Sequence, residues 1–254
     1  MAEFETVRRA GAGIRTAQID EGLRAHMNRV YGLMSLGMLI TGVIAYIVGM
    51  DFAAARAGEP TSFLSPEILQ TMFSSPVRYI IMFAPLLVVF GFGAAVNRLS
   101  ENAARGVFFL FSALMGLSIS WIFAVYTGAS IAQTFFVTAI AFLGLSLWGY
   151  TTKKDISGWG TFLIMGVIGL IVASIVNIFL ASSALMFAIS AIGVLVFAGL
   201  TAYDTQNIKN TYIAMASHGQ TEWLGKAAIM GALSLYLYFL NIFQYLLMFM
   251  GNQE

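Results

Sequence analysis

The sequence predicts an all-α polytopic membrane protein with seven transmembrane helices. Three observations carry that prediction. Apolar residues make up 59% of the 254-residue chain and charged residues 10%, against roughly 45–50% and about 25% in a soluble domain. Seven stretches reach the length a bilayer demands, since about 20 apolar residues at about 1.5 Å each cross the roughly 30 Å hydrocarbon layer. Basic residues, finally, alternate between the connections in step with that count. So much apolar surface exceeds what one soluble core can bury, and the surplus must face acyl chains.

The elements follow in order. Residues 1–27 form a polar N-terminal segment containing Arg8, Arg9, Arg15, Asp20, Glu21 and Arg24. The first apolar run, 30–50, is longer than the stretch of about 7–15 residues in a secretory signal, so it reads as a retained span. The connection from Asp51 to Val77 holds three of the four prolines, and Pro66 to Phe73 is expected to form a short interfacial helix. Further spans lie at 79–97, 106–126, 130–150, 161–180, 183–203 and 227–249, with no acidic residue inside any of them. The links at Thr127-Gly128-Ala129 and Ala181-Ser182 are short enough to imply antiparallel hairpins, although a kinked long helix would give the same pattern. The chain thus divides into a segment 1–27, a membrane domain 28–250 and a tail 251–254.

Charge sets the expected orientation. With the N-terminus cytoplasmic, the inner segments carry Arg8, Arg9, Arg15, Arg24, Arg29, Arg98, Arg105, Lys153, Lys154, Lys209 and Lys226, while the outer ones carry Arg56 and Arg78. That is a marked positive-inside asymmetry. An odd number of spans then places the tail Gly251-Asn252-Gln253-Glu254 outside.

Several function classes fall away. A net charge of +1 offers no basic surface to nucleic acid, and the absence of cysteine removes thiolate chemistry and Cys-type zinc sites. His26 and His218 stand in polar segments, and no HExxH, serine elbow or phosphate loop is present. Tyr203-Asp204 resembles one half of the intramembrane aspartyl protease dyad, but the last helix has no acid to complete it, and that chemistry needs two carboxylates. The chain is not expected to be an enzyme, and no cofactor is implied.

Ionisable groups are costly in a bilayer and are candidates for function there. Asp204 abuts the apolar run Ile192 to Ala202 directly. It reads either as a carboxylate snorkelling to the interface or capping a helix end, or as a proton- or cation-responsive group in the cytoplasmic mouth of the bundle. On the last span Ser234, Tyr238, Asn241 and Tyr245 share one helical face. A polar stripe facing lipid would be costly, so this face is expected to look into the bundle, as interhelical glue or as a hydrated path. Arg98, on the same side as Asp204, is either a salt-bridge partner or a simple inside anchor. Lys153-Lys154-Asp155 reads as a solvated loop with a capping acid.

Three stretches carry a resemblance: Gly149-Tyr150-Thr151-Thr152-Lys153-Lys154-Asp155, Ala202-Tyr203-Asp204-Thr205-Gln206-Asn207-Ile208-Lys209, and Ala232 to Phe243. Together they resemble the Bax inhibitor-1 family, over about residues 25–250. The resemblance implies a seven-helix fold with the C-terminal helix wrapped by the other six. It also implies a passive, pH-sensitive calcium leak in a bacterial inner membrane. In that family two aspartates on the last two helices share a proton and interact with an arginine of the second span. The first matches Asp204 and the arginine matches Arg98, but the second falls at Tyr238. A tyrosine removes the repulsion that makes two carboxylates share a proton, and calcium favours several hard oxygens. A weakened Asp204-based cation site and altered pH gating are therefore expected. The alternative is a non-conducting regulator that engages a membrane protease through the N-terminal segment.

Overall fold

The computed structural model describes residues 2–74, 76–218 and 223–252, with side chains from residue 19 onward. Eight α-helices and no strand occur among these residues. They are α1 (Ala2–Ala57), α2 (Pro66–Ser74), α3 (Val77–Ala95), α4 (Glu101–Ile119), α5 (Gly128–Thr151), α6 (Trp159–Leu180), α7 (Ser183–Ser217) and α8 (Leu224–Met250). All except α2 include a stretch long and apolar enough to cross a membrane, in agreement with the seven expected spans. The expected short helix appears as α2, held to the end of α1 by buried Leu69 and by Phe52 stacked on Phe73 at 4.1 Å.

Two helices run beyond their apolar stretches. No helix break separates the polar segment from the first span: residues 19–29 contain no proline, and the helix runs on through Gly22 and Asn28. The sixth span, expected to end at residue 203, continues as α7 to Ser217. Hydropathy marks where the solvent changes, whereas a helix stops only at a breaker or cap. Here Thr201 and Thr205 bond back to the carbonyls of Phe197 and Thr201, each at 2.8 Å, and nothing interrupts the ladder. The extended parts of α1 and α7 pack on one another, with His26 against Tyr212 at 5.0 Å between centroids.

The two short links are true breaks. A 3₁₀ turn, Ser120–Ala124, ends α4, and the Thr127 hydroxyl then caps α5 by accepting from Ser130 N at 3.2 Å. After α6, Ala181 adopts a left-handed φ of 47°, a conformation awkward for a residue with a Cβ. The Asn177 side chain holds that turn by accepting from Ser182 N at 3.0 Å, and the Ser182 hydroxyl caps α7. Both breaks are therefore written in local polar chemistry, but only α6 and α7 pack on each other as the expected hairpin: α4 turns instead to α1 and α3, and α5 to α7 and α8.

Helix α8 is the centre of the bundle. It packs directly on α1, α4, α5 and α7, while α3 and α6 lie outside them, chiefly against α4 and α7. The wrapping is thus two-layered. Outward-facing Leu87, Phe90, Phe162 and Phe179 are 69–84% exposed, as lipid-facing residues of an outer layer should be. Glycine lets the inner helices approach closely: a Cβ on Gly116 would come within 2.6 Å of the Thr41 carbonyl oxygen, and one on Gly149 within 2.3 Å of that of Ala202.

Candidate functional site

Asp204 lies in the interior of α7, thirteen residues before its end at Ser217, so it caps no helix terminus. It is half-buried and faces α8. The Tyr238 hydroxyl donates to Asp204 Oδ2 at 2.7 Å, and the Ser234 side chain, one turn earlier on α8, hydrogen-bonds the same carboxylate. The expected polar face of α8 therefore does meet the acid of α7. Its members then divide. Asn241 donates to the Leu237 carbonyl of its own helix at 2.8 Å, and Tyr245 lies against Gly193 and 6.0 Å from the Phe197 ring.

A cleft of about 250 Å³ reaches Asp204 and Ser234 from the end of the bundle where α7 leads into α8. Its walls are His26 of α1, Asn207 and Thr211 of α7, and Trp223, Met230 and Gly231 at the start of α8. Asp204 is the one carboxylate of this lining. Past Tyr238 the interior turns apolar, with Phe197 at 6.0 Å from the Tyr238 ring and Leu200 and Ile242 packed around it. Asp204 and Ser234 line the cleft, and Tyr238 stands behind them, bonded to Asp204 outside the lining.

Arg98 is not brought to this site. It lies exposed in the turn after α3, outside the cleft lining. Among the described residues both ion pairs belong to Glu101, which binds Arg29 of α1 and Arg105 of α4, the latter at 2.9 Å. The second-span arginine stands exposed just past the end of its helix. No group of three or more metal-type side chains occurs among the described residues, so Asp204 would meet a cation with hydroxyl and amide oxygens rather than with further carboxylates.

The other motif residues build the frame. Gln206 accepts from Ile156 N at 3.0 Å and donates to the Lys154 carbonyl at 2.8 Å, which fastens the α5–α6 loop onto α7. Lys209 Nζ donates to the Tyr150 carbonyl at 2.7 Å. Lys153, Lys154 and Asp155 are exposed, as a solvated loop should be. The Ser157 backbone N–H bonds the Asp155 carboxylate at 2.9 Å, and this bond holds its carboxyl below the usual carboxylate range. With Gly149 pressed on Ala202, the first two motifs prove to be the two sides of one α5–α7 contact.

Sequence reasoning missed His26, Thr211 and Trp223 as cleft residues, because no local pattern links them. His26 sits among polar neighbours in the sequence, and its burial follows only from the docking of α7 on α1. Gln206 did stand inside a quoted motif, and a buried amide beside a loop rich in unpaired backbone groups was the signal available.

Comparison with known proteins agrees with this architecture. The profile of the family described as inhibitor of apoptosis-promoting Bax1 matches residues 23–254. The inner membrane protein YbhL of Escherichia coli (strain K12) is 44% identical over 92% of this chain and 94% of its own length. Protein RP147 of Rickettsia prowazekii is 43% identical, covering 92% of each chain, and a Caulobacter vibrioides protein is 44% identical over 93% of this chain and 92% of its own. With its seven apolar helices and this likeness along nearly its whole length, the chain belongs to the Bax inhibitor-1 family of integral membrane proteins.

Proposed function

We propose that this protein is a passive, pH-sensitive cation leak of a bacterial inner membrane, with Asp204 as its cation- and proton-responsive group and calcium among the ions passed. The observation that carries the proposal is the Tyr238–Asp204 hydrogen bond, made by a carboxylate that lines a cleft. A carboxylate reachable from one side attracts cations, and the apolar interior beyond it is a barrier. The bond acts as a latch: while it holds, the α7 and α8 faces stay together and the path ends at Tyr238. With the N-terminus cytoplasmic, the cleft opens to the cytoplasm. One carboxylate with hydroxyl neighbours binds calcium weakly, which suits a permeant ion better than a resident one.

Calcium flux into dye-loaded liposomes between pH 6 and 8 tests this reading. Wild type is expected to exceed empty vesicles, Asp204→Asn to lose most of the flux, and Tyr238→Asp to change the pH dependence by creating a second carboxylate. Flux equal to that of empty vesicles at every pH would overturn the proposal.

A second reading has one observation in its favour. Helix α1 has 56 residues, about 84 Å in length, far more than a bilayer crossing needs. Its first part is available as a docking helix for another membrane protein such as a membrane protease, and the protein would then regulate rather than conduct. Deleting residues 2–18 separates the two: a regulator loses its co-purified partner, while a leak keeps its flux.

A further inference from the structure

On the side of α8 away from Asp204, α1 and α5 do not close. Helix α1 packs on α4, α7 and α8, and α5 packs on α7 and α8, which leaves a lateral groove between them. The groove has a volume of about 920 Å³, and its floor is formed by Phe142 and by Phe239 of the central helix. A second cavity of about 370 Å³ shares Gly42, Tyr46 and Phe239 with it and continues to Met50. From Tyr31 to Met50 the groove follows α1 for about 28 Å, close to the roughly 30 Å of a hydrocarbon layer. Its lining is almost wholly apolar and gives water few partners. It opens sideways beside exposed Leu39, Val43 and Leu143, residues suited to face acyl chains.

We propose that this groove binds one anionic phospholipid of the surrounding bilayer, with an acyl chain against Phe239 and the headgroup at the Tyr31 end. Charge at that end selects the headgroup. Arg24 lies two helical turns outward from Tyr31 on the same face of α1; it is exposed and forms no ion pair among the described residues. Across the groove, Tyr150 stands one turn beyond Ser146 on α5, and Lys209 Nζ sits on it, 5.6 Å from the ring centre. Lys153 and Lys154 follow, both exposed. Asp20 and Glu21 neighbour Arg24 one turn further out on α1, and Asp155 follows Lys154; against these three acids stand the four basic groups Arg24, Lys153, Lys154 and Lys209, so this end keeps a basic excess. At the opposite end Arg56 is already engaged with the Ala124 carbonyl at 3.5 Å. An anionic headgroup is therefore drawn to one end of the groove. The site is independent of whether the Asp204 cleft conducts.

Gly42 provides the test, because it lines both cavities and a Cβ there meets nothing within 4 Å. Gly42→Leu puts a side chain into the groove from a position whose Cβ has open space, and it removes a glycine from a helix interior, so it should melt at or above the wild-type temperature. The full chain is purified in detergent with equal phosphatidylglycerol and phosphatidylcholine of identical chains, and retained lipid is read by native mass spectrometry. Wild type is expected to keep one phosphatidylglycerol in preference, and Gly42→Leu to lose it. Arg24→Gln is expected to lower the preference about five-fold, the worth of one basic residue near an anionic surface. Equal retention of the two lipids by wild type would overturn the proposal, as would retention that neither variant alters. A dimer that Gly42→Leu dissolves would overturn it too, by making the groove a seat for a second copy.

Discussion

Two tyrosines two residues apart on α8 make similar hydrogen bonds in different surroundings. Tyr236 is fully buried, and its hydroxyl lies 2.5 Å from Thr41 Oγ1, which itself donates to the Ser112 carbonyl at 2.8 Å. That knot joins α1, α4 and α8, with the Phe108 and Phe111 rings edge-on at 5.8 and 5.7 Å. Tyr238 points the other way, is half-buried, and bonds a carboxylate that lines a cleft. Tyr236 has no route to solvent and nothing to exchange with it, so its bond can only hold helices together. Tyr238 bonds a group that can gain a proton or a cation. The same side chain is glue on one face of the helix and, under the proposed function, a latch on the other.

The largest expected effect breaks the first site. Tyr236→Ala should destabilise the protein by about 3–5 kcal/mol, as large-to-small aromatic changes in a packed core do, measured by unfolding in detergent. Tyr238→Phe should cost only about 0.6 kcal/mol, the average of interhelical hydrogen bonds in membranes, yet it should raise calcium flux by freeing Asp204. Equal destabilisation by Tyr238→Phe and Tyr236→Phe, with no change in flux, would erase the distinction between glue and latch.

Smaller effects sharpen the frame around the latch. Gln206→Leu should release the α5–α6 loop at a cost of about 1 kcal/mol and speed tryptic cleavage at Lys153 and Lys154. Asp155 should matter least. Its carboxyl is lowered in the folded protein, so its contribution is present above the ordinary aspartate range and is lost as pH falls through the folded value. Asp155→Asn should flatten that acid limb in a thermal-shift titration and leave flux unchanged.

Much of the fold was legible because lipid is an unforgiving solvent. Seven apolar runs, the interfacial helix at Pro66 and the polar breaks near Thr127 and Ser182 each follow from local composition. The end of α7 was not legible, since hydropathy falls at Asp204 while the helix continues to Ser217. Of the site, the pairing of Asp204 with the Ser234–Tyr238 face could be read from the cost of burying polar atoms. The role of Asn241 could not, because an amide can satisfy itself on its own backbone. Arg98 shows the same limit: a basic residue can stand exposed just past its helix without reaching the acid.

The sequence by itself determined that this chain spans a membrane seven times, since each span is a local balance between apolar length and bilayer thickness. It also singled out Asp204, because a carboxylate beside so apolar a run is rare. Only the tertiary structure decided what that carboxylate meets. The Asp204–Tyr238 bond, the burial of His26 and the open side between α1 and α5 depend on how helices are rotated and spaced against one another. Rotation and spacing are set by contacts between residues far apart in the chain, which no local pattern records.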